Sequence, residues 1–132
     1  LENLSLVLKE KKIKNIKLPV SAPFHCSLMA KATEIMREEL GKLKFKKGTN
    51  PLISNITADE IFNPDELKDL LIKQIENRVR WRESVIYMIN KGINQFIEIG
   101  PGKVLSGLVK RINKEVEVSS INNKEDIENI RV

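Results

Sequence analysis

Gln95-Phe96-Ile97-Glu98-Ile99, Gly100-Pro101-Gly102 and the two runs that follow, residues 104–112 and 116–121, decide the fold. The apolar run Gln95–Ile99 reads as a short strand. Gly-Pro-Gly is a tight turn that neither a strand nor a helix runs through. Residues 104–112 carry helical periodicity, with Lys110 and Arg111 at the negative end of the helix dipole. Residues 116–121 read as a strand again. Strand, helix and strand in this order argue for a parallel sheet covered by helices.

The same alternation extends in both directions. Ahead of this unit, Trp81, Val85, Met88 and Ile89 form the inward face of a helix that stops at Gly92. Asn63-Pro64-Asp65-Glu66 is a helix start: Asn63 caps, Pro64 suits the first turn, and two acids face the positive end of the dipole. Leu67, Leu70, Leu71 and Ile75 are its buried face. Residues 51–57 read as a strand running into a loop at Ala58. Residues 27–40 are helical, with Ser27 as cap, Gly41 as closure and Leu28, Ala32, Ile35, Met36 and Leu40 on one face. Residues 22–26 are a loop in which Pro23 holds Ala22 extended. Residues 15–21 alternate like a strand, with Pro19 marking an edge, and residues 2–11 look helical. A short helix near residues 126–130 ends the chain. The fold class is α/β, a partial parallel sheet with flanking helices. With only about three strands expected, the sheet reads as the edge of something larger.

The bulk numbers exclude several classes. At 132 residues, 41% hydrophobic and 31% charged, the chain reads as globular and not disordered. No apolar run approaches a membrane span, and no signal peptide is visible. The single cysteine, Cys26, precludes an internal disulfide and fits a cytoplasmic setting. One cysteine and one histidine do not make a four-ligand zinc site, so neither metal nor cofactor is expected. The net charge of +5 admits nucleic acid, an anionic membrane or an acidic protein as partner, or simply a Lys-rich composition. Aromatic residues, at 5%, are too few and too scattered for a single-strand stacking platform.

Three places carry residues that chemistry uses. His25 sits after a strand, in a Pro-braced loop just before a helix, where α/β proteins place catalytic groups. Its imidazole suits a general base near neutral pH, although position alone favours an ordinary surface or helix-start histidine. Its neighbour Cys26 reads as a packing residue, since adjacent residues rarely point the same way. Gly100-Pro101-Gly102, at a helix N-terminus, offers backbone N–H groups to an anion, but its spacing fits neither a dinucleotide fingerprint nor a P-loop, and a structural turn is the simpler reading. Gln74-Ile75-Glu76-Asn77-Arg78-Val79-Arg80-Trp81 joins two helices. No Gly-x-Ser-x-Gly elbow occurs, and Ser106 lies inside an expected helix.

Taken in order and register, these segments resemble the malonyl-CoA:acyl carrier protein transacylases. Leu18-Pro19-Val20-Ser21-Ala22-Pro23-Phe24-His25-Cys26-x-Leu28-Met29 is similar to the family's histidine segment. Ser54-Asn55-Ile56-Thr57-Ala58 is similar to its next strand end. Arg78-Val79-Arg80-Trp81 corresponds to Arg-Pro-Val-Arg-Trp without the proline, and Glu98-Ile99-Gly100-Pro101-Gly102-Lys103-Val104-Leu105 to its late turn. The resemblance runs from about residue 8 to about residue 130.

The resemblance implies a fold, a reaction and a division of labour. Residues 1–21 would be the end of a ferredoxin-like small subdomain, and residues 22–132 the C-terminal part of a hydrolase-like large domain. A serine takes the malonyl group from coenzyme A with a histidine's help and passes it to the thiol of acyl carrier protein. His25 is the matching histidine, and the Gln74 backbone carbonyl is the group that would orient it. The serine elbow, the malonyl-gripping arginine and the oxyanion-hole amides belong to an N-terminal half that this sequence lacks. The partners implied are malonyl-CoA, acyl carrier protein and that half, with no nucleic acid and no membrane. The chain alone is expected to be inactive. An inactive remnant and a basic binding module are the alternative readings.

Overall fold

The structure, a computed structural model, describes residues 2–16, 20 and 22–129. In chain order it contains α1 (Glu2–Glu10), a 3₁₀ turn (Ser27–Met29), α2 (Ala30–Gly41), β1 (Leu52–Ile53), β2 (Glu60–Ile61), α3 (Pro64–Lys73), α4 (Trp81–Asn90), β3 (Gln95–Ile99), α5 (Val104–Ile112), β4 (Glu117–Ile121) and α6 (Lys124–Asn129).

The βαβ unit forms as its sequence dictates. β3 and β4 are parallel, from Gln95 opposite Glu117 to Ile99 opposite Ile121, with α5 between them. Gly100 and Gly102 adopt φ of +140° and +94°, a region that a side chain would strain. The core lies beneath this sheet. Val85, Val109 and Val116 are buried, with Trp81, Met88, Ile89, Phe96, Ile112 and Val118 packed against them. Asn63 caps α3 by accepting from the N–H groups of Asp65 and Glu66. Gly92, at φ +91°, follows the end of α4.

Five expectations need correction. Residues 51–57 do not join the parallel sheet: β1 pairs antiparallel with β2, a strand too short to leave a periodic signal, and the parallel sheet has two described strands. Ser27 does not cap α2 but opens the 3₁₀ turn, and neither Cys26 nor Met29 supplies a side-chain cap. Gly41 is the last residue of α2, with Lys42 as C-cap. The final helix starts earlier than residue 126, at Lys124, because Asn123 accepts from the Asp126 N–H while Asp126 accepts from those of Asn122 and Asn123. The strand at residues 15–21 finds no support at Asn15, Ile16 or Val20, and its remainder, Lys17, Leu18, Pro19 and Ser21, lies outside the described residues.

The apolar face expected to bury α2 is only partly covered, with Ala32 and Leu40 half-buried. Leu28 is 77% and Ile35 54% exposed, and Thr33 is the helix's buried residue. On β3, side chains alternate so that Phe96 faces the core while Ile97 and Ile99 face outward, Ile99 at 80% exposure. Parallel sheets are normally covered on both faces. The accessible surface of 10738 Å² compares with about 7,100 Å² for a compact monomer of 15.1 kDa. The chain therefore shows well-formed elements with uncovered apolar faces. No helix among the described residues is long and apolar enough to cross a membrane.

The turn after β3 is held by Glu98. Its carboxylate accepts from the N–H groups of Leu105 (3.1 Å) and Ser106 (2.8 Å), satisfying the first turn of α5. The Ser106 hydroxyl, its N–H and that of Leu105 hold the Glu98 carboxyl below its usual value of 4.5. The hydroxyl contact is the loosest of these, because its oxygen meets no partner in hydrogen-bond geometry, so the backbone donors carry the effect. Stability from a depressed carboxyl is present above pH 4.5 and is lost as pH falls through the folded value. Glu98→Gln is expected to lower the Tm at pH 7, with the gap to wild type closing below pH 4.5. Thermal melts followed by circular dichroism across pH 3–7 (roughly the carboxylate titration range) check this; a gap unchanged by pH would refute it.

Candidate active site

His25 is placed by a short backbone contortion. The Phe24 N–H donates to the Ala22 carbonyl at 2.9 Å, closing a tight turn. His25 then takes φ +61°, and Cys26 is extended at φ −149° and ψ 171°. A non-glycine residue in the left-handed region is uncommon and costs roughly 1 kcal/mol or more. The Cys26 thiol donates back to the Pro23 carbonyl at 3.1 Å, a local contact that gives Cys26 a structural use. The loop therefore commits to one shape and presents the imidazole at the surface.

The imidazole meets the end of α3. Its Nδ1 lies 2.9 Å from the Gln74 backbone oxygen. A carbonyl only accepts, so Nδ1 carries the proton and Nε2 keeps a free lone pair. The carbonyl is available because α3 stops at Lys73 with Gln74 as its C-cap, and terminal carbonyls have no partner within their own helix. The helix C-terminus also places partial negative charge beside the ring.

Around this pair lies a network that sequence reasoning did not assign. The loop joining β1 to β2, residues 54–59, is shaped by Ser54, which is 5% exposed. Its hydroxyl accepts from the N–H groups of Ile56 and Thr57 at 3.1 and 3.5 Å, and its carbonyl from that of Ala58 at 2.9 Å. Ala58 has φ +58°. The next residue along the loop from Ser54, Asn55, donates through Nδ2 to the Gln74 side-chain oxygen at 3.1 Å. Its carbonyl accepts from the Arg80 N–H at 2.8 Å, and Arg80 Nη1 donates to the Thr57 carbonyl at 2.8 Å. Arg80 Nε, buried and without a hydrogen bond, sits 3.6 Å from Glu83, which also receives Arg78 at 3.3 Å. Backbone N–H, Arg78 and Arg80 together hold Glu83 below the ordinary carboxylate range. The sequence signal was the run Ser54–Ala58 itself, whose polar residues have no periodic role.

The Gly-Pro-Gly turn is not an anion cradle. The Gly100 N–H donates to the Ile121 carbonyl at 3.0 Å and the Gly102 N–H to Asn122 Oδ1 at 2.6 Å. With Glu98 taking the donors of Leu105 and Ser106, four of the N–H groups around this turn are already engaged. Ser106 lies in α5 with its hydroxyl buried, where no substrate reaches it.

No protein-family model matches the sequence. Among individual proteins, the malonyl CoA-acyl carrier protein transacylase of Bacillus subtilis is 43% identical over 113 residues, which is 86% of this chain and 36% of the relative. The acyl-carrier-protein-S-malonyltransferase of Bartonella henselae superposes with a TM-score of 0.85 at 38% identity, covering 97% of this chain and 41% of that one. A malonyl-transacylase solved in complex with a type II PKS acyl-carrier protein gives 0.83 at 30% identity, covering 96% and 41%. These likenesses in sequence and fold set the chain beside part of a malonyltransferase. Over most of its length it is similar to malonyl CoA-acyl carrier protein transacylases, and it spans about a third of the length of the curated relatives it matches.

Proposed function

We propose that this chain is the C-terminal portion of a malonyl-CoA:acyl carrier protein transacylase and supplies its general-base histidine. The 2.9 Å contact between His25 Nδ1 and the Gln74 carbonyl carries this reading. With Nδ1–H engaged, Nε2 is the basic nitrogen, free to take a proton from a serine hydroxyl as that oxygen attacks the malonyl thioester. The same nitrogen then returns the proton to the departing coenzyme A thiol. In the second half-reaction Nε2 deprotonates the phosphopantetheine thiol of acyl carrier protein as its sulfur attacks the serine ester, and reprotonates the serine oxygen as it leaves. The Gln74 carbonyl fixes the tautomer, and the C-terminal end of α3 faces the positive charge that the ring transiently holds.

The nucleophile is not in this sequence: no Gly-x-Ser-x-Gly elbow occurs. The serine, the oxyanion-hole donors and the grip on the malonyl carboxylate would come from an N-terminal segment outside it. The exposed apolar side chains of Leu28 ahead of α2, Ile35 on α2 and Ile99 on β3 support such a complement. In this reading residues 1–21 are the end of a ferredoxin-like subdomain and residues 22–132 part of a hydrolase-like domain. Malonyl-CoA and acyl carrier protein are the partners, fatty-acid synthesis is the setting and the cytoplasm is the location.

The test is a graft. Alone, the chain is expected to transfer no malonyl group above background, because the oxyanion hole and nucleophile supply most of the acceleration. Replacing the 113 matched residues of the Bacillus subtilis relative with those of this chain is expected to give a transferase, assayed by loading of radiolabelled malonyl onto acyl carrier protein. A folded chimera without transfer would count against the reading.

A further inference from the structure

We infer that Asn55 is a positioning residue for His25, acting through the Gln74 carbonyl; the inference rests on the role proposed for His25. The segment from Gln74 to Arg80 links α3 to α4. Its internal bonds are local: the Gln74 N–H donates to Leu70 at 3.0 Å, Asn77 Nδ2 to the Lys73 carbonyl at 2.8 Å, and the Ile75 and Glu76 N–H groups to Ile72 and Lys73, each at 3.3 Å. The Ile75 N–H shares a peptide plane with the Gln74 carbonyl, so its bond aims that carbonyl, but at 3.3 Å it is at the long end of the useful range and holds the plane loosely.

Asn55 fixes it from outside. Its side chain holds the first residue of the link, Nδ2 to Gln74 Oε1 at 3.1 Å, and its carbonyl holds the last, from the Arg80 N–H at 2.8 Å. One residue thus clasps both ends of the segment. Asn55 is itself held in a loop that Ser54 and the Arg80–Thr57 contact brace, so the clasp is anchored in the β1–β2 hairpin and not in the link. An asparagine is suited to this double use, because its amide donates while its backbone carbonyl remains free to accept. The Gln74 amide is pinned by its side chain, and its own main-chain oxygen meets His25 Nδ1 at 2.9 Å. A weakly supported carbonyl would let the ring swing and exchange tautomers; a clasped one holds Nδ1–H and leaves Nε2 as the base.

His25 is the chain's one histidine, so imidazole ¹⁵N resonances report it without ambiguity. The experiment is ¹⁵N–¹H correlation spectroscopy of the chain above the imidazole titration, for wild type, Asn55→Ala, Gln74→Met and the double variant. Wild type is expected in the Nδ1–H tautomer. Each single variant is expected to shift the tautomer ratio about fivefold toward Nε2–H, the effect of loosening one neutral hydrogen bond. The double variant is expected to shift no further, because both changes cut the same link. A general loss of stability would not reproduce that pattern in the folded fraction. Unchanged tautomer ratios in the single variants would overturn the inference while leaving the His25–Gln74 reading intact. A wild-type ring in the Nε2–H form would instead overturn that reading. Where Asn55→Ala does not fold, Gln74→Met decides, since it removes only the side-chain acceptor and keeps both main-chain bonds.

Discussion

In the Bacillus subtilis chimera, His25→Asn is expected to lower kcat for malonyl transfer by about 10²–10⁴-fold, the range for loss of a positioned general base. Asparagine is the informative replacement. It tolerates the left-handed backbone that His25 adopts at φ +61°, and its amide can still donate to the Gln74 carbonyl in place of Nδ1–H. What disappears is Nε2 and nothing else. The KM for malonyl-CoA is expected to change little, because the lost interaction operates in proton transfer and not in substrate binding. Unfolding transitions of parent and variant chimeras should coincide. A kcat within about threefold of the parent would remove His25 from the chemistry, since that difference is too small for a lost general base.

The contact between His25 and Gln74 was legible through the resemblance, and its support was not. The resemblance supplied both residues by register with Trp81, and a helix ending near Gln74 follows from the Asn63-Pro64 start and an ordinary helix length. The left-handed backbone at His25 and Ala58 left no trace, because a single torsion is set by the loop around it and carries no periodic signal. Asn55 stood inside a quoted motif yet had no assigned role, since its partners, Gln74 and Arg80, are 19 and 25 positions away in the chain. The βαβ unit was legible because its alternation, glycine turn and charged helix end agree with one another. β1 and β2 were misjudged for the opposite reason: two-residue strands offer nothing to count. The face of α2 was read correctly as apolar, but burial depends on what packs against it, and periodicity alone does not say that.

Val85→Asp is expected to leave the chain largely unfolded at pH 7. Val85 is 0% exposed, in a core cluster whose other buried members among the described residues are Val109 and Val116. Truncation to alanine there is expected to cost about 2 kcal/mol in lost transfer energy and cavity. An aspartate adds an uncompensated charge, on the order of 3–5 kcal/mol further, or forces the carboxyl to stay neutral. Native domains stand about 5–15 kcal/mol above unfolding, and a chain with so much uncovered apolar surface has little margin. The pH dependence separates charge from volume. Burial raises the folded carboxyl pKa above its unfolded value of about 3.9. The extra penalty is therefore absent below about pH 3.9, grows as pH rises toward the folded value, and is constant above it. Val85→Asn, of similar size and uncharged, carries no such dependence and serves as the reference, which also cancels the loss of Glu98 stabilisation below pH 4.5. Urea unfolding followed by far-UV circular dichroism measures all three variants. Val85→Asp unfolding within about 1 kcal/mol of Val85→Ala at pH 7 would mean that water reaches this core. Because α4 begins at Trp81, which packs against this core cluster and follows directly on Arg80, the same loss would release the clasped segment that carries Gln74. Stability of the βαβ core and the aim of His25 are thus joined through one short link, and disturbing the core is expected to randomise the imidazole tautomer.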